Sequence, residues 1–186
     1  MVSTIEFSND PAFKKNIKIE NWVGDYPAIF QRHRTFRFML STHDVSCSFV
    51  YNGLAFKTVQ HALQYMKYTL QNDTAAKHFS LTSNTSLAKR SARRAYRIGS
   101  RLSMTAEQKK KWDAMHDILV AEIMDEKYAQ NAHAPIAQVL CATQTAELWF
   151  VDQNDDGREK KIRAHYLEQI RDRLQIVRNV VESCLA

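Results

Sequence analysis

The hydrophobic period of the sequence changes abruptly in its first half, which limits the folds available to the chain. Apolar and polar residues alternate over residues 45–51, reach Asn52-Gly53, and the apolar pattern resumes at residues 54–56. Asn-Gly between two such runs is typical of a β-hairpin with a tight turn. From Thr58 the apolar positions instead recur at helical spacing. The sequence therefore predicts a strand pair that leads directly into an amphipathic helix.

Helical spacing continues through much of the remaining chain. The helix that begins at Thr58 has a predicted buried face, and further helices are predicted to begin near Asp73 and Ser86. Thr105 and Gln108 have the spacing of a capping box, so a long helix is expected to begin there. The two predicted buried faces consist of Val59, Ala62, Leu63, Met66 and Leu70 on the first helix and Trp112, Met115, Leu119 and Ile123 on the long one.

The two ends of the chain carry further signals for strands and helices. Residues 5–7 have strand character, Pro135 suits the first turn of a short helix, and residues 148–151 are apolar like a buried strand. A polar turn at residues 153–157 follows. The final amphipathic helix is predicted to pack onto the core, with pairing to another copy as the alternative, through Ile162, Tyr166, Ile170, Leu174, Val177 and Val181.

Together these elements predict one α+β domain, dominated by helices and completed by a small sheet. The chain has 186 residues, an ordinary length for one domain, and it contains no linker, repeat or low-complexity block. We expect residues 1–37 to form an N-terminal extension packed on the domain. The domain itself is predicted to span residues 38–186, including the final amphipathic helix.

Composition argues against several classes of protein. No apolar run approaches the roughly 20 residues that cross a bilayer, and the first residues do not resemble a signal peptide, so we expect a soluble, cytoplasmic protein. Cys47, Cys141 and Cys184 are too far apart for a Cys-x-x-Cys metal site, and the histidines show no zinc-binding spacing. We therefore predict neither a metal nor a cofactor.

Basic residues concentrate in one segment, residues 87–111. The whole chain has a net charge of +6, whereas this segment alone has nine basic side chains and one acidic side chain, Glu107. Arginine binds phosphate through two parallel hydrogen bonds, so the segment suits a phosphorylated ligand or nucleic acid. The alternative is a helix face that is simply solvated. The basic residues are Lys89, Arg90, Arg93, Arg94, Arg97, Arg101, Lys109, Lys110 and Lys111.

Candidate functional residues are the polar side chains that interrupt the apolar periodicity. The sequence has no G-x-S-x-G nucleophile motif and no glycine-rich phosphate loop. His61 is alternatively a structural residue at a helix start, and Asp155 and Asp156 are alternatively turn residues. Trp112 and Met115 are alternatively core residues. The candidates are Gln60, His61, Gln64 and Lys67, residues 89–94, Lys127, Gln130 and Asn131, and Asp152, Asp155 and Asp156.

Several of these segments follow one another in the order of a known domain family. Residues 51–68 resemble a strand with D-G and an aromatic residue, followed by S-x-E-H-x-x-Q-x-x-K. Residues 88–93 resemble A-K-x-x-G-R, residues 127–131 resemble K-F-x-Q-N, and residues 140–143 resemble L-L-A-T. Residues 38–42 resemble an L-S-N stretch, and Trp112 with Met115 resembles W-x-x-x-R/M. Across residues 38–156 the chain thus resembles the NADAR (YbiA-like) domains.

The resemblance implies N-glycosidase chemistry, the cleavage of a bond between ribose and a base-like nitrogen. Members of the family act on riboflavin-pathway intermediates or on guanine that carries ADP-ribose. The transition state develops oxocarbenium-like positive charge, so the site needs an anion near the ribose and a group that orients water. By resemblance, Asp155 is the anion and Gln60 positions the water. The implied phosphate ligands are Lys67, Lys89, Arg90 and Arg93, and the other implied ligand-binding residues are His61, Trp112, Lys127, Gln130 and Asn131.

The chain departs from the family's pattern at the positions that matter for catalysis. The glutamate before the motif histidine is Gln60, and the acid after the late strand is Phe150 in an ungapped alignment. A glutamine amide orients water but neither accepts its proton nor supplies negative charge. Three functions follow: an N-glycosidase that relies on Asp155, a domain that binds an ADP-ribose-like or nucleotide ligand without turnover, and a nucleic-acid or protein interaction module that uses residues 87–111.

Overall fold

The computed structural model describes residues 4–7, 40–153 and 159–185, which belong to two compact units. The central unit comprises residues 42–131, and the terminal unit comprises residues 1–41 and 132–186. Helices dominate the described residues and each unit contains a small sheet, so the helix-dominated α+β class is confirmed. The predicted boundary between an extension and a domain at residue 38 stays a prediction.

The described elements follow the predicted order, with one additional strand near the end of the chain. Their bounds are β1 (Thr4–Phe7), β2 (Phe49–Tyr51), β3 (Leu54–Phe56), α1 (Val59–Thr69), two 3-10 turns (Thr74–Phe79 and Leu81–Ser83), α2 (Ser86–Lys89), α3 (Ala92–Gly99), α4 (Ala106–Gln130), α5 (Pro135–Ala142), β4 (Glu147–Gln153), β5 (Glu159–Arg163) and α6 (His165–Leu185).

The predicted hairpin is confirmed in the central unit, although its first strand is shorter than the alternation indicates. Asn52 and Gly53 have φ angles of 49° and 73°, the left-handed conformation that a tight primed turn requires. Residues 45–48 are not part of β2. The Asp44 carboxylate accepts hydrogen bonds from the Ser46 backbone N–H and hydroxyl, at 3.2 Å and 2.7 Å, and this local turn delays the strand.

Side chains form hydrogen bonds with the outward-facing backbone groups on both edges of this two-stranded sheet, at Val50 and Ala55. Val50 of β2 lies opposite Ala55 of β3. On the β2 edge, the Gln130 amide accepts from the Val50 N–H and donates to the Val50 carbonyl, both at 2.7 Å. On the β3 edge, Thr82 accepts from the Ala55 N–H and Ser80 donates to the Ala55 carbonyl. The short hairpin therefore has its outer backbone groups satisfied within the central unit.

Side-chain caps fix the helix starts of the central unit close to the predicted positions. Thr58 caps α1, and Thr105 caps α4 through the expected capping box with Gln108. Thr85 caps α2, which begins at Ser86 as expected. Asp73 caps a 3-10 turn rather than an α-helix, because the segment after it ends within six residues.

The predicted buried face of α4 is correct only in its second half. Leu119 and Ile123 are buried, Trp112 is half-buried, and Met115 is 36% exposed. The core assignment of Met115 is therefore wrong. Residues 113–115 are all exposed, so the side chains of these three residues of α4 face solvent. Periodicity identifies residues that share a helix face, but it does not tell how far along the helix the core extends.

A buried ion pair joins the two ends of the central unit. The Lys127 Nζ donates to Asp44 Oδ2 at 2.6 Å and to the Asp44 backbone carbonyl at 3.1 Å. The Lys127 side chain is fully buried and that of Asp44 is 5% exposed. Because an unpaired charge is costly to bury, removing either partner would leave the other buried without a counter-ion.

Replacing Lys127 with methionine is expected to destabilise the protein by about 3–5 kcal/mol, because Asp44 would remain buried without its counter-ion. Urea unfolding monitored by circular dichroism measures the loss. Lys110→Met is the matched control, since Lys110 is exposed on the same helix and should change stability by at most about 0.5 kcal/mol. Equal, small effects of the two substitutions would contradict the assigned importance of the pair.

The sheet of the terminal unit combines a strand from each end of the chain. β1 pairs in parallel with β4, which confirms the strand character of residues 5–7 and 148–151. β5 pairs antiparallel with β4 and places Ile162 opposite Phe150. The assignment of Ile162 to the final helix is therefore wrong. Pairing with β4 provides backbone hydrogen bonds that a sequence periodicity does not reveal, and the helix begins only at His165.

The final helix α6 contributes to the core of the terminal unit through its first half. Leu167, Ile170 and Leu174 are buried, whereas Val177 and Val181 are 51% and 46% exposed. The predicted core position of the last two residues is wrong. The Arg171 guanidinium is buried in the same half, where it donates to the Ala146 carbonyl at 2.7 Å. The pairing of this helix with another copy stays a prediction.

None of the helices within residues 40–153 and 159–185 has the length and apolar character required to cross a membrane.

Candidate functional site

Three buried polar side chains, which we call the α1 polar row, lie in the first two turns of α1. Gln60, His61 and Gln64 are 7%, 0% and 4% exposed. The Gln60 Oε1 accepts a hydrogen bond from the Thr42 hydroxyl at 3.4 Å, and its backbone N–H donates to the Thr42 carbonyl at 2.9 Å. Gln60 thus sits inside the protein with a neutral hydrogen-bond partner.

His61 is held by the cap residue of its own helix. Its Nδ1 lies 2.8 Å from the Thr58 hydroxyl, whose oxygen also accepts from the His61 backbone N–H. The hydroxyl can donate to Nδ1 or accept from it, according to the tautomer of the ring. Burial lowers the pKa of His61 to about 4, the Leu87 backbone carbonyl opposes this change, and the positive charge of Lys57 adds to it. His61 is neutral at pH 7.

Two atoms of the α1 polar row lack a hydrogen-bond partner among the described residues. They are His61 Nε2 and Gln64 Oε1, both fully buried. Buried polar atoms are nearly always paired, with protein or with ordered water. The Gln64 oxygen is therefore an acceptor, and His61 Nε2 a donor or acceptor according to its tautomer, for a water molecule or a polar ligand group.

Gly99 fixes the end of α3 against α1. A Cβ at this position would overlap Gln64 Oε1, so any larger residue would require the buried Gln64 side chain to move. The Lys67 Nζ donates to the Gly99 carbonyl at 3.0 Å and lies 5.8 Å from the centre of the Trp112 ring. Burial lowers the pKa of Lys67, and the Asp113 charge opposes this shift. The structure thus brings together Lys67 and Trp112, two predicted ligand-binding residues.

An open depression of about 460 Å³ lies beside the start of α3 and is lined mainly by guanidinium groups. We call it the arginine depression. All of its residues are exposed, and no carboxylate of the described ranges forms an ion pair with them. Its positive charge is therefore uncompensated within that part of the chain. The lining residues are Arg90, Ser91, Arg93, Arg94 and Arg97.

Three other predicted ligand-binding residues already have partners inside the central unit. Lys127 pairs with Asp44, and the Gln130 amide bonds the Val50 backbone. The Asn131 amide donates to the Ser48 and Lys127 carbonyls, at 3.3 Å and 2.8 Å. These contacts give all three a structural role, and their contact with a ligand stays a prediction.

Of the remaining predicted residues, some lie within the described ranges and others do not. Lys89 is exposed at the end of α2, where its carbonyl accepts from the Lys57 Nζ at 2.9 Å. Asp152 belongs to β4, whereas Asp155 and Asp156 lie outside the described residues. The action of Asp155 together with Gln60 stays a prediction.

Sequence reasoning missed several residues that the structure makes important. Arg94 is a candidate from the sequence without an implied role, and Arg97 is recognised only as basic, although its helical spacing from Arg93 is visible. The cap residue Thr58 could be found from its position before an apolar helix. For Gly99 the sequence carries no comparable signal, because its importance depends on contact with a different helix.

Comparison with known proteins adds no assignment. The chain matches no protein-family model, and none of the curated proteins matches it. Within the described residues there is also no group of three or more histidine, cysteine or acidic side chains that could hold a metal ion.

The buried, neutral state of His61 predicts that the protein loses stability as the pH is lowered. The unfolded chain binds a proton near pH 6.5 and the folded protein only near pH 4, so the unfolding free energy should decrease from pH 6.5 to pH 4, by about 3 kcal/mol in total. Urea unfolding at several pH values, compared with His61→Gln, measures this contribution. Identical pH dependence of the two proteins would contradict it.

Proposed function

We propose that the chain binds a phosphorylated, N-ribosylated ligand of the ADP-ribose or nucleotide type through the central unit. The observation that carries this proposal is the arginine depression, where four exposed guanidinium groups surround an open space without an acidic partner among the described residues. Guanidinium groups bind phosphate oxygens in pairs, and uncompensated positive charge raises the local concentration of anions. The resemblance to NADAR domains supports the ribosylated, base-like remainder of the ligand.

The second candidate is a domain that binds this ligand without turnover, and it is favoured by the chemistry of the α1 polar row. Hydrolysis of a ribosyl–base bond needs a group that accepts a proton from water and an anion near the ribose. Gln60 is an amide and accepts no proton, and burial lowers the pKa of His61 to about 4, which makes its ring a weak base. The α1 polar row therefore contains no strong base at neutral pH. N-glycosidase activity would depend on Asp155.

Removing arginines from the depression is expected to weaken ligand binding. Arg90→Ala and Arg93→Ala should each lower the affinity for ADP-ribose by roughly five- to tenfold, because each removes a charge-assisted hydrogen bond at an exposed site. Isothermal titration calorimetry measures the affinities. Lys160→Ala, an exposed cation on β5, is the matched control and should bind like the wild type. Wild-type affinity in both arginine variants would show that the depression is a solvated surface that does not bind the ligand.

A time course with ADP-ribosylated guanosine separates binding from hydrolysis. We expect the purified protein to retain the intact compound and to release ADP-ribose no faster than the Asp155→Asn variant, as followed by mass spectrometry. Faster release by the wild type would establish an N-glycosidase that uses Asp155 and would reject the candidate without turnover. Equal release by both proteins, well above the uncatalysed rate, would remove Asp155 from the mechanism.

A further inference from the structure

Tyr96 is an exposed aromatic residue among the arginines of α3. It is 54% exposed, whereas Ala92 and Ala95 on the same helix are buried. Arg93 lies three residues before Tyr96, and Arg97 follows it directly. Residues three or four apart on a helix are neighbours, so Arg93 lies beside both Tyr96 and Arg97. The solvent face of α3 therefore presents an aromatic ring next to a row of guanidinium groups.

The Tyr96 side chain has no specific interaction with the other described residues that would explain a structural role. Its side chain takes part in none of their hydrogen bonds, ring contacts or cation–π contacts. A single exposed apolar residue needs no explanation in itself. Here, however, Arg93 precedes Tyr96 by one helical turn and Arg97 follows it directly, and neither has an acidic partner among the described residues, so the combination points to a ligand that has both anionic and aromatic groups along its length.

We propose that α3 binds single-stranded nucleic acid, with one base stacked on Tyr96 and phosphates along the strand held by Arg93, Arg94 and Arg97. Surfaces that bind single strands combine a basic track for the backbone with aromatic rings on which bases stack. A base in a duplex is already stacked and paired, so the exposed ring favours an unpaired strand. The arginines of this inference also line the depression, but the inference does not rest on the proposed small-molecule ligand, because its distinguishing residue, Tyr96, is not part of the depression.

The salt dependence of binding distinguishes a strand on α3 from weak, general attraction. Each phosphate neutralised on a single strand contributes about −0.7 to the slope of log affinity against log salt concentration. Contacts from Arg93, Arg94 and Arg97 therefore predict a slope of about −2. Replacing Arg94 and Arg97 together with glutamine should reduce the magnitude of that slope by about 1.4. Lys160→Gln removes a distant exposed cation and should leave the slope unchanged.

The decisive experiment compares a labelled thymidine strand of about 12 nucleotides with an abasic strand of the same length and with a duplex, by fluorescence anisotropy on the full chain. We expect the thymidine strand to bind most tightly. Tyr96→Leu should weaken it about tenfold and leave the abasic strand unaffected, because only base stacking is lost. Tyr96→Phe keeps the ring and should bind like the wild type.

Three results would overturn the proposal. They are equal affinity for the thymidine and abasic strands, tighter binding of the duplex, and unchanged binding by Tyr96→Leu. The titration with ADP-ribose keeps the two proposals separate. A protein that binds the strand but not ADP-ribose would retain this inference and lose the proposed function, and the opposite result would do the reverse.

Discussion

The buried ion pair between Lys127 and Asp44 organises the central unit. It joins the last turn of α4 to the segment that precedes the hairpin, and the neighbouring amides of Gln130 and Asn131 hold the backbone at Val50 and Ser48. A buried pair adds little net stability compared with an apolar pair of the same size, but it tolerates few alternative arrangements. Its effect here is to fix one register of the chain before the hairpin and, through the hairpin, the start of α1.

Local sequence signals predicted the elements whose formation is decided locally. The Asn52-Gly53 turn, the capping box at Thr105 and the first-turn Pro135 are each recognisable within a few residues, and all three occur as expected. The ion pair that organises the central unit joins residues 83 positions apart, and nothing in either segment indicates its partner. Strand β5 was missed for the same reason, since its existence depends on pairing with β4.

The candidate site also has one feature that the sequence predicts and one that it does not. Its positive charge was visible in the sequence, because arginines at helical spacing need no distant partner to be recognised. The state of His61 was not visible. Its low pKa arises first from burial, and burial is set by the packing of whole elements rather than by neighbouring residues. Composition therefore indicated the positive charge of the surface, whereas the protonation state of a buried group such as His61 could be derived only from the fold.

The neutral α1 polar row and the charged face of α3 have a common electrostatic consequence. Gln64 contacts the last residue of α3, Gly99, so the row and the arginine helix belong to one packed arrangement. A glutamate at position 60 would place a negative charge in the same unit as the arginines. The Gln60 amide adds neither a negative charge nor a proton acceptor. The interior next to the arginine helix therefore does not offset the positive charge on its solvent face.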